Sequence, residues 1–294
     1  VPLDNLGSPS NAINDVDYSN TVNGKPICYW VNRSDASVPS DAGCVVLINC
    51  RRIKLQNLTL TYNLHGALLI NTNDTQICSS NVMSNAARGW EFYCAGIWML
   101  YSSNNVIFQN NISYNAEGVY AYRGVNNTIT SNDILESGKP GGTLGVVIKM
   151  TSYCNVSFNK VINTDYGAGI CLSSSTNNVM KSNSIERGVI GLIISKSDNV
   201  ISFNNISGCQ IGISVYMWTS NCIIESNNIV SCNDAVHIGS GTYGNKFFHN
   251  NFIGSTQVRF EGGGGDSWDN GYPCGGNYWS DYTGVDLHHG QNQN

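Results

Sequence analysis

Short blocks built on one template recur along this chain, and they constrain its fold more than any other feature. Ile107-Phe-Gln-Asn110-Asn-Ile112, Ile201-Ser-Phe-Asn204-Asn-Ile206, Ile224-Glu-Ser-Asn227-Asn-Ile229 and Phe247-Phe-His-Asn250-Asn-Phe252 all read apolar, two variable, Asn, one variable, apolar. Extended along the chain, the template gives anchors at Gln56, Ser80, Asn110, Asn132, Asn159, Asn183, Asn204, Asn227 and Asn250, spaced 21 to 30 residues apart. A second template, Gly-apolar-variable-apolar, follows about ten residues later. It runs from Gly66-Ala-Leu-Leu69 through Gly96, Gly118, Gly145, Gly169 and Gly191 to Gly212, with Ala235 and Gln257 taking the Gly place in the last copies. Alternating apolar and variable positions mean short strands with one buried face. No window shows a 3.6-residue apolar period long enough for a helix. Two or three strands per repeat of this length, joined by Asn, Ser and Gly turns, describe one coil of a parallel β-helix. The Leu-x-x-Leu-x-Leu pattern of leucine-rich repeats is absent, and a propeller blade needs about 40 residues. The expected fold is an all-β, right-handed parallel β-helix of about nine coils, the hand following the crossover rule.

Stacking the coils builds columns. Ile53, Ile77, Ile107, Ile129, Val156, Met180, Ile201, Ile224 and Phe247 form one inward column; Leu58, Val82, Ile112, Ile134, Val161, Ile185, Ile206, Ile229 and Phe252 form another. The anchor Asn residues between them suit an amide ladder, each side chain hydrogen-bonding along the axis. The repeat divides the chain into a lead-in over residues 1–48, itself a partial coil or cap, a β-helix over 49–260, and a Gly- and aromatic-rich cap with tail over 261–294.

The middle residue of the Gly strand points outward. Down the coils it is Leu68, Trp98, Tyr120, Val147, Cys171 and Ile193, an apolar stripe that then turns to Ser214, His237 and Arg259. Three occupants compete for it: the chain's own termini, a second copy of the protein, or sugar rings stacked on Trp98 and Tyr120. N-x-S/T sequons at Asn32, Asn57, Asn73, Asn111, Asn126, Asn155 and Asn205 fall mainly on outward or turn positions. Together with 11 cysteines and no C-x-x-C pair, they point to an extracellular or cell-surface setting. Cys209 and Cys232 hold equivalent places in adjacent coils, within disulfide reach, although two stacked free thiols fit equally.

Only 12% of residues are charged and the net charge is −5, with no Lys/Arg run, which excludes nucleic acid and anionic membrane as partners. No apolar stretch approaches the roughly 20 residues of a membrane span. The opening at Val1, without an initiator Met, reads as a processed chain or a fragment.

The stretch Trp268-Asp-Asn-Gly-Tyr-Pro-Cys-Gly-Gly-Asn-Tyr-Trp-Ser-Asp-Tyr-Thr-Gly-Val-Asp286 resembles the terminal motif of archaeal NosD-like β-helix proteins. Ser19-Asn-Thr-Val-Asn-Gly-Lys-Pro-Ile-Cys-Tyr-Trp30 and Pro39-Ser-Asp-Ala-Gly43 are similar to the same family. The resemblance implies a secreted or cell-surface β-helix of the carbohydrate-binding and sugar-hydrolase repeat type, with further coils at either end. Cys28 and Cys274 depart from the family's pattern and suit added disulfides. The family name carries a copper association, but His65, His237 and His249 stand apart in the sequence, and only His288-His289 could chelate. Asp266, Asp269, Asp281 and Asp286 are the calcium candidates of the cap. For catalysis, Asp133, Lys160, His237 and Arg259 point outward on different coils, and Asp165, Glu186 and Asp234 lie in turns out of register. The expectation is therefore a structural protein with no catalytic residue, metal or cofactor, associating with itself head to tail. A polysaccharide-binding or polysaccharide-cleaving protein and a NosD-like copper-handling accessory are the alternatives.

Overall fold

In a computed structural model, which describes residues 9–85, 94–135, 144–262 and 264–284, the chain is a parallel β-helix. Apart from a 3-10 turn at Pro9–Ala12, every regular element among these residues is a strand. Each coil contributes to three strand columns. The Gly-template strands stack as Ala67–Ile70, Ala95–Leu100, Glu117–Tyr122 and Val146–Lys149, then continue within Lys160–Ser173, Ser184–Ile194, Ile211–Val215, Asn228–Ile238 and Asn251–Phe260. Strands such as Val106–Phe108 and Thr128–Thr130 form a second, ten-stranded column. Strands such as Asn111–Ser113 and Asp133–Leu135 follow each anchor and form the third. The stack reaches back before residue 49, because Lys25–Val31 pairs in parallel with Cys44–Ile48, which in turn pairs with Ala67–Ile70.

Strands this short need sharp corners, and the corners explain the anchor Asn. At each corner one residue adopts a positive φ, among them Gln109 (φ 54), Phe158 (φ 56) and Phe203 (φ 57). The next residue then turns inward. The αL strain therefore falls on the residue before each anchor, and the anchor itself is chosen for the hydrogen bonds that its inward side chain makes. Down the first corner, Ser80, Asn110, Asn132, Asn159, Asn183, Asn204, Asn227, Asn250 and Asn277 are joined axially. Each backbone N–H donates to the next residue's side-chain Oδ1 at 2.9–3.1 Å. The amide NH2 of each Asn meanwhile serves a carbonyl left over by the turn, as Asn183 Nδ2 does for Val156 O at 2.8 Å. Backbone groups that no strand satisfies are thereby paired in a dry interior.

The first anchor departs from expectation. Leu58, not Gln56, stands above Ser80, since its N–H donates to Ser80 Oγ at 3.1 Å. Gln56 pairs with Cys78 and is exposed, and the columns begin with Leu55 over Ile77 and Leu60 over Val82 in place of Ile53 and Leu58. A two-residue slip preserves strand parity, so Ile53, Leu55, Leu58 and Leu60 are all buried and the apolar pattern cannot reveal it.

A second corner carries its own ladder, through Thr75, Asn105 and Asn127, with Cys154, Asn178 and Asn199 continuing it, and then Cys222, Asn245 and Asp266. Here cysteine replaces the amide. The Sγ of Cys154 and of Cys222 lies 3.7 and 3.6 Å from the carbonyl two residues back, the place Asn Nδ2 takes elsewhere. Cys50, Cys209 and Cys232 occupy such corner places too.

Candidate functional site

The outer face of the Gly-strand sheet divides into two halves of different chemistry. Leu68, Trp98, Tyr120, Val147, Cys171 and Ile193 stack in one register, as their equivalence demands. They are not an exposed stripe, however. Trp98, Tyr120, Val147 and Cys171 are buried, and Leu68 and Ile193 are half-buried. Trp98, Tyr120 and Val147 belong to a second hydrophobic cluster outside the helix core, built largely from this sheet face itself: Tyr29, Val46 and Leu68 extend the stripe's column, Val31, Ile48, Ile70, Leu100 and Tyr122 run beside it, and Ala12 and Leu144 pack against it. The stripe is therefore closed to a ligand over these coils. Sequence alternation gives the direction a side chain takes, whereas its exposure depends on the neighbours packed around it. His65 sits in this half, buried, its ring edge-on to Trp98 at 4.8 Å. Its Nδ1 accepts the Ala95 N–H at 3.2 Å. Burial pushes its pKa down to about 4, so the ring is neutral and structural.

Toward the C-terminal coils the same columns turn polar. His237 and Arg259 are in register on adjacent coils, one rung beyond Ser214. Asp234, expected in a turn, lies in the strand Asn228–Ile238 three residues before His237, and its neighbours in register are Ile211 and Thr256. Arg259 Nη1 stands 3.6 Å from Asp234 Oδ2, and His237 Nε2 stands 3.2 Å from Glu261 Oε1. The side chains of Asp234 and His237 are 16% and 18% exposed, those of Arg259 and Glu261 60% and 53%, so the group has a sheltered floor and an open rim. The Asp234–Arg259 separation is Coulombic without a hydrogen bond, which leaves guanidinium donors directed to solvent. Two carboxylates, a guanidinium and an imidazole thus converge on one outward face. The signal for it was in the sequence: His237 and Arg259 share the column of the stripe.

The other expected residues are dispersed. Asp133 and Lys160 are neighbours in register on the strand column after the anchors, both exposed. Glu186 is half-buried at another corner. Beside it, Arg187, Val189, Gln210, Ser231 and Asn233 line a surface depression of about 410 Å³, with Cys209 at one side. Cys209 and Cys232 are free thiols stacked on one another. Their mutual hydrogen bond raises Cys209 and lowers Cys232, burial acting upward on both. Cys28 and Cys274 are likewise free, the first buried and the second exposed. Among the sequons, Asn32, Asn57, Asn126, Asn155 and Asn205 are exposed, while Asn73 and Asn111 are half-buried. Asp266 accepts the Asn245 N–H at 2.9 Å as a ladder member, and Asp269 Oδ1 accepts the Gly271 N–H at 2.8 Å. Asp286, His288 and His289 lie outside the described residues.

The family model described as "Periplasmic copper-binding protein (NosD)" matches residues 6–144 and 141–284. No curated protein matches. Among solved structures, the chain is similar to a mutant of the periplasmic alginate epimerase AlgG, with 11% identity and a TM-score of 0.56 over 77% of this chain and 61% of that one. It is similar to a mutant DFA-IIIase from Arthrobacter chlorophenolicus A6 in complex with DFA-III, with 12% identity and a TM-score of 0.57 over 76% and 63%. The Dettilon tailspike protein (gp208) gives 16% identity and a TM-score of 0.63 over 86% and 60%. The chain spans about three fifths of each of these proteins, and at such identities the likeness is one of fold.

Copper in the family's name calls for a cluster of soft or imidazole donors. Among the described residues no three His, Cys, Asp or Glu side chains are grouped to hold an ion. Soft or imidazole donors meet in pairs, His249 Nε2 at 3.7 Å from Cys274 Sγ and Cys209 beside Cys232. The described residues do not supply a donor set for copper.

Proposed function

The chain belongs to the NosD family, and on that premise we propose that it is a polysaccharide-binding protein acting outside the cytoplasm, which holds a neutral polysaccharide on the outer face of its C-terminal coils. The observation that carries the reading is the convergence of Asp234, His237, Arg259 and Glu261 on that face. Sugar hydroxyls both donate and accept, and this group offers both functions at close range: carboxylates to accept, guanidinium and imidazole to donate. Asp234, Glu261 and Arg259 carry a formal charge of −1 between them and the whole chain carries −5, so a polyanion is repelled at long range and a neutral polymer is not. The flat strand face gives an extended binding surface of the kind a linear polymer fits. The similar solved structures include an alginate epimerase and a DFA-III complex, which favours a carbohydrate ligand for the fold.

The exposed sequons Asn32, Asn57, Asn126, Asn155 and Asn205 favour a glycosylated surface outside the cytoplasm. The family's description as periplasmic agrees with export. Among the described residues no helix is long and apolar enough to cross a membrane. A head-to-tail fibre has weaker support. At the C-terminal end Trp268 stacks on Phe247 with ring centroids 4.3 Å apart, and Trp279 lies tilted against Phe252 at 4.7 Å. Tyr278–Trp279 pairs with the last long strand. The partly buried rings of Trp268 and Trp279 lie against the apolar cross-section that a second copy would need, which weighs against such a contact.

Affinity electrophoresis of the purified chain in gels containing a soluble neutral glucan, galactomannan or xylan, beside polygalacturonate, tests the reading. Retardation by a neutral polymer that Arg259→Ala or Asp234→Asn weakens is the expected result. Retardation by polygalacturonate alone, or by none of the four, overturns it.

A further inference from the structure

Trp218 is 70% exposed, in contrast to Trp30 at 6% and Trp98 at 1%. It sits in a turn over Tyr216–Thr219 closed by the Thr219 N–H to Tyr216 O bond at 3.3 Å. Its φ is 62°, an uncommon value for so large a residue. The indole is nevertheless held in place. Its six-membered ring lies against Gly241 on the next coil, where a Cβ would come within 2.7 Å of Cε3 and 2.8 Å of Cζ3. Gly241 has φ +74°, so the position both needs glycine and uses its bare Cα as the seat of the ring. One side of the indole is thus occupied by backbone and the other faces solvent. Tyr216 (53% exposed) and Met217 (44%) precede Trp218 in the same turn, Tyr243 (55%) stands on the next coil beside Ser220, and none of these four side chains carries a charge. An exposed aromatic surface of this kind, set on rigid coils and uncharged, matches the apolar C–H face of a pyranose ring.

The platform is continuous with the polar group described above. Tyr216, Gly239 and Glu261 follow one another down a single column, as the Gly239 N–H to Val215 O and Glu261 N–H to Ile238 O bonds fix. Two coil steps of about 4.8 Å therefore separate the backbone of Tyr216 from that of Glu261. We propose that Trp218, with Tyr216 in its turn and Tyr243 on the next coil, is an aromatic subsite that stacks on a neutral sugar ring of the same polysaccharide chain whose hydroxyls Asp234, His237, Arg259 and Glu261 bind. This rests on the polysaccharide-binding reading and deepens it. The polar group sets the orientation of the chain, and the indole supplies the non-polar contact that an all-polar site lacks.

The test is binding of the neutral polymer that retards the wild type, measured by affinity electrophoresis and by tryptophan emission, for Trp218→Ala, Trp218→Phe, Gly241→Val and Arg259→Ala. Trp218→Ala is expected to weaken binding roughly tenfold and to abolish the shift in emission, and Trp218→Phe to recover part of the affinity. Gly241→Val, which unseats the ring without removing it, is expected to weaken binding as well. Because Trp218 is exposed, an unchanged melting temperature for Trp218→Ala accompanies the loss. Unaltered affinity in Trp218→Ala beside weakened affinity in Arg259→Ala overturns the aromatic subsite and leaves the polar site standing. Failure of the wild type to bind any neutral polymer overturns both.

Discussion

Replacing Asn183 by Ala tests the physical idea on which the fold depends, that corner backbone groups are satisfied by side chains stacked along the axis. Asn183 Oδ1 accepts the Asn159 N–H and the Asn159 Nδ2–H, both at 3.0 Å, and its own Nδ2 donates to Val156 O at 2.8 Å and to Asn204 Oδ1 at 2.9 Å. Alanine leaves the Asn159 N–H and the Val156 carbonyl unpaired in a site 1% exposed, too enclosed for bulk water to replace the amide. Each orphaned buried group costs about 1–3 kcal/mol, so the loss is about 2–6 kcal/mol. Asn205, next along the ladder's outward side, is exposed, and Asn205→Ala is expected to stay within about 0.5 kcal/mol. Asn183→Cys should fall between, because Cys154 and Cys222 occupy ladder places naturally and the Asn127 and Asn199 N–H groups reach their sulfurs. Urea unfolding followed by far-UV circular dichroism, with the slopes compared to confirm one cooperative unit, measures all three. If Asn183→Ala loses no more than Asn205→Ala, the ladder is incidental and the stability lies in the apolar columns alone.

His65 predicts a pH effect of definite sign. Its folded pKa lies below the unfolded value of 6.5, at about 4, so its contribution is full above 6.5 and is lost as pH falls toward 4; the difference corresponds to about 3 kcal/mol. His65→Gln should flatten the change in urea midpoint between pH 7 and pH 4.5 relative to the wild type, and an identical slope in both proteins would refute the assignment. Native alkylation should modify exposed Cys274 first and leave Cys28 and Cys171, buried and pushed up to about 12, unlabelled until unfolding; peptide mass mapping reads the order. Trp268→Ala removes the partly buried ring stacked on Phe247 and should cost about 1–3 kcal/mol, with hydrogen exchange accelerated most in Lys246–Phe248 and Asn251–Phe260.

How much of this was legible beforehand depended on what each pattern encodes. The spacing of Asn110, Asn132, Asn159, Asn183, Asn204, Asn227 and Asn250 reported the coil directly, because one corner geometry imposes one residue type at each turn. The order of the stripe from Leu68 to Arg259 was equally readable, since parallel strands in register preserve sequence equivalence. The slip at Leu58 was hidden because moving by two residues keeps the same face inward. The amide role of Cys154 and Cys222 was hidden because a thiol in a sequence suggests disulfides or metals before it suggests a turn.

The sequence by itself therefore determined the coil, its columns and the residues each column carries, all of them consequences of local periodicity. The tertiary structure alone decided which outward residues meet solvent. Trp98 and Trp218 both project from the solenoid, yet one is enclosed and the other stands open on Gly241. Exposure depends on the neighbours packed around a side chain in three dimensions, which no repeat encodes.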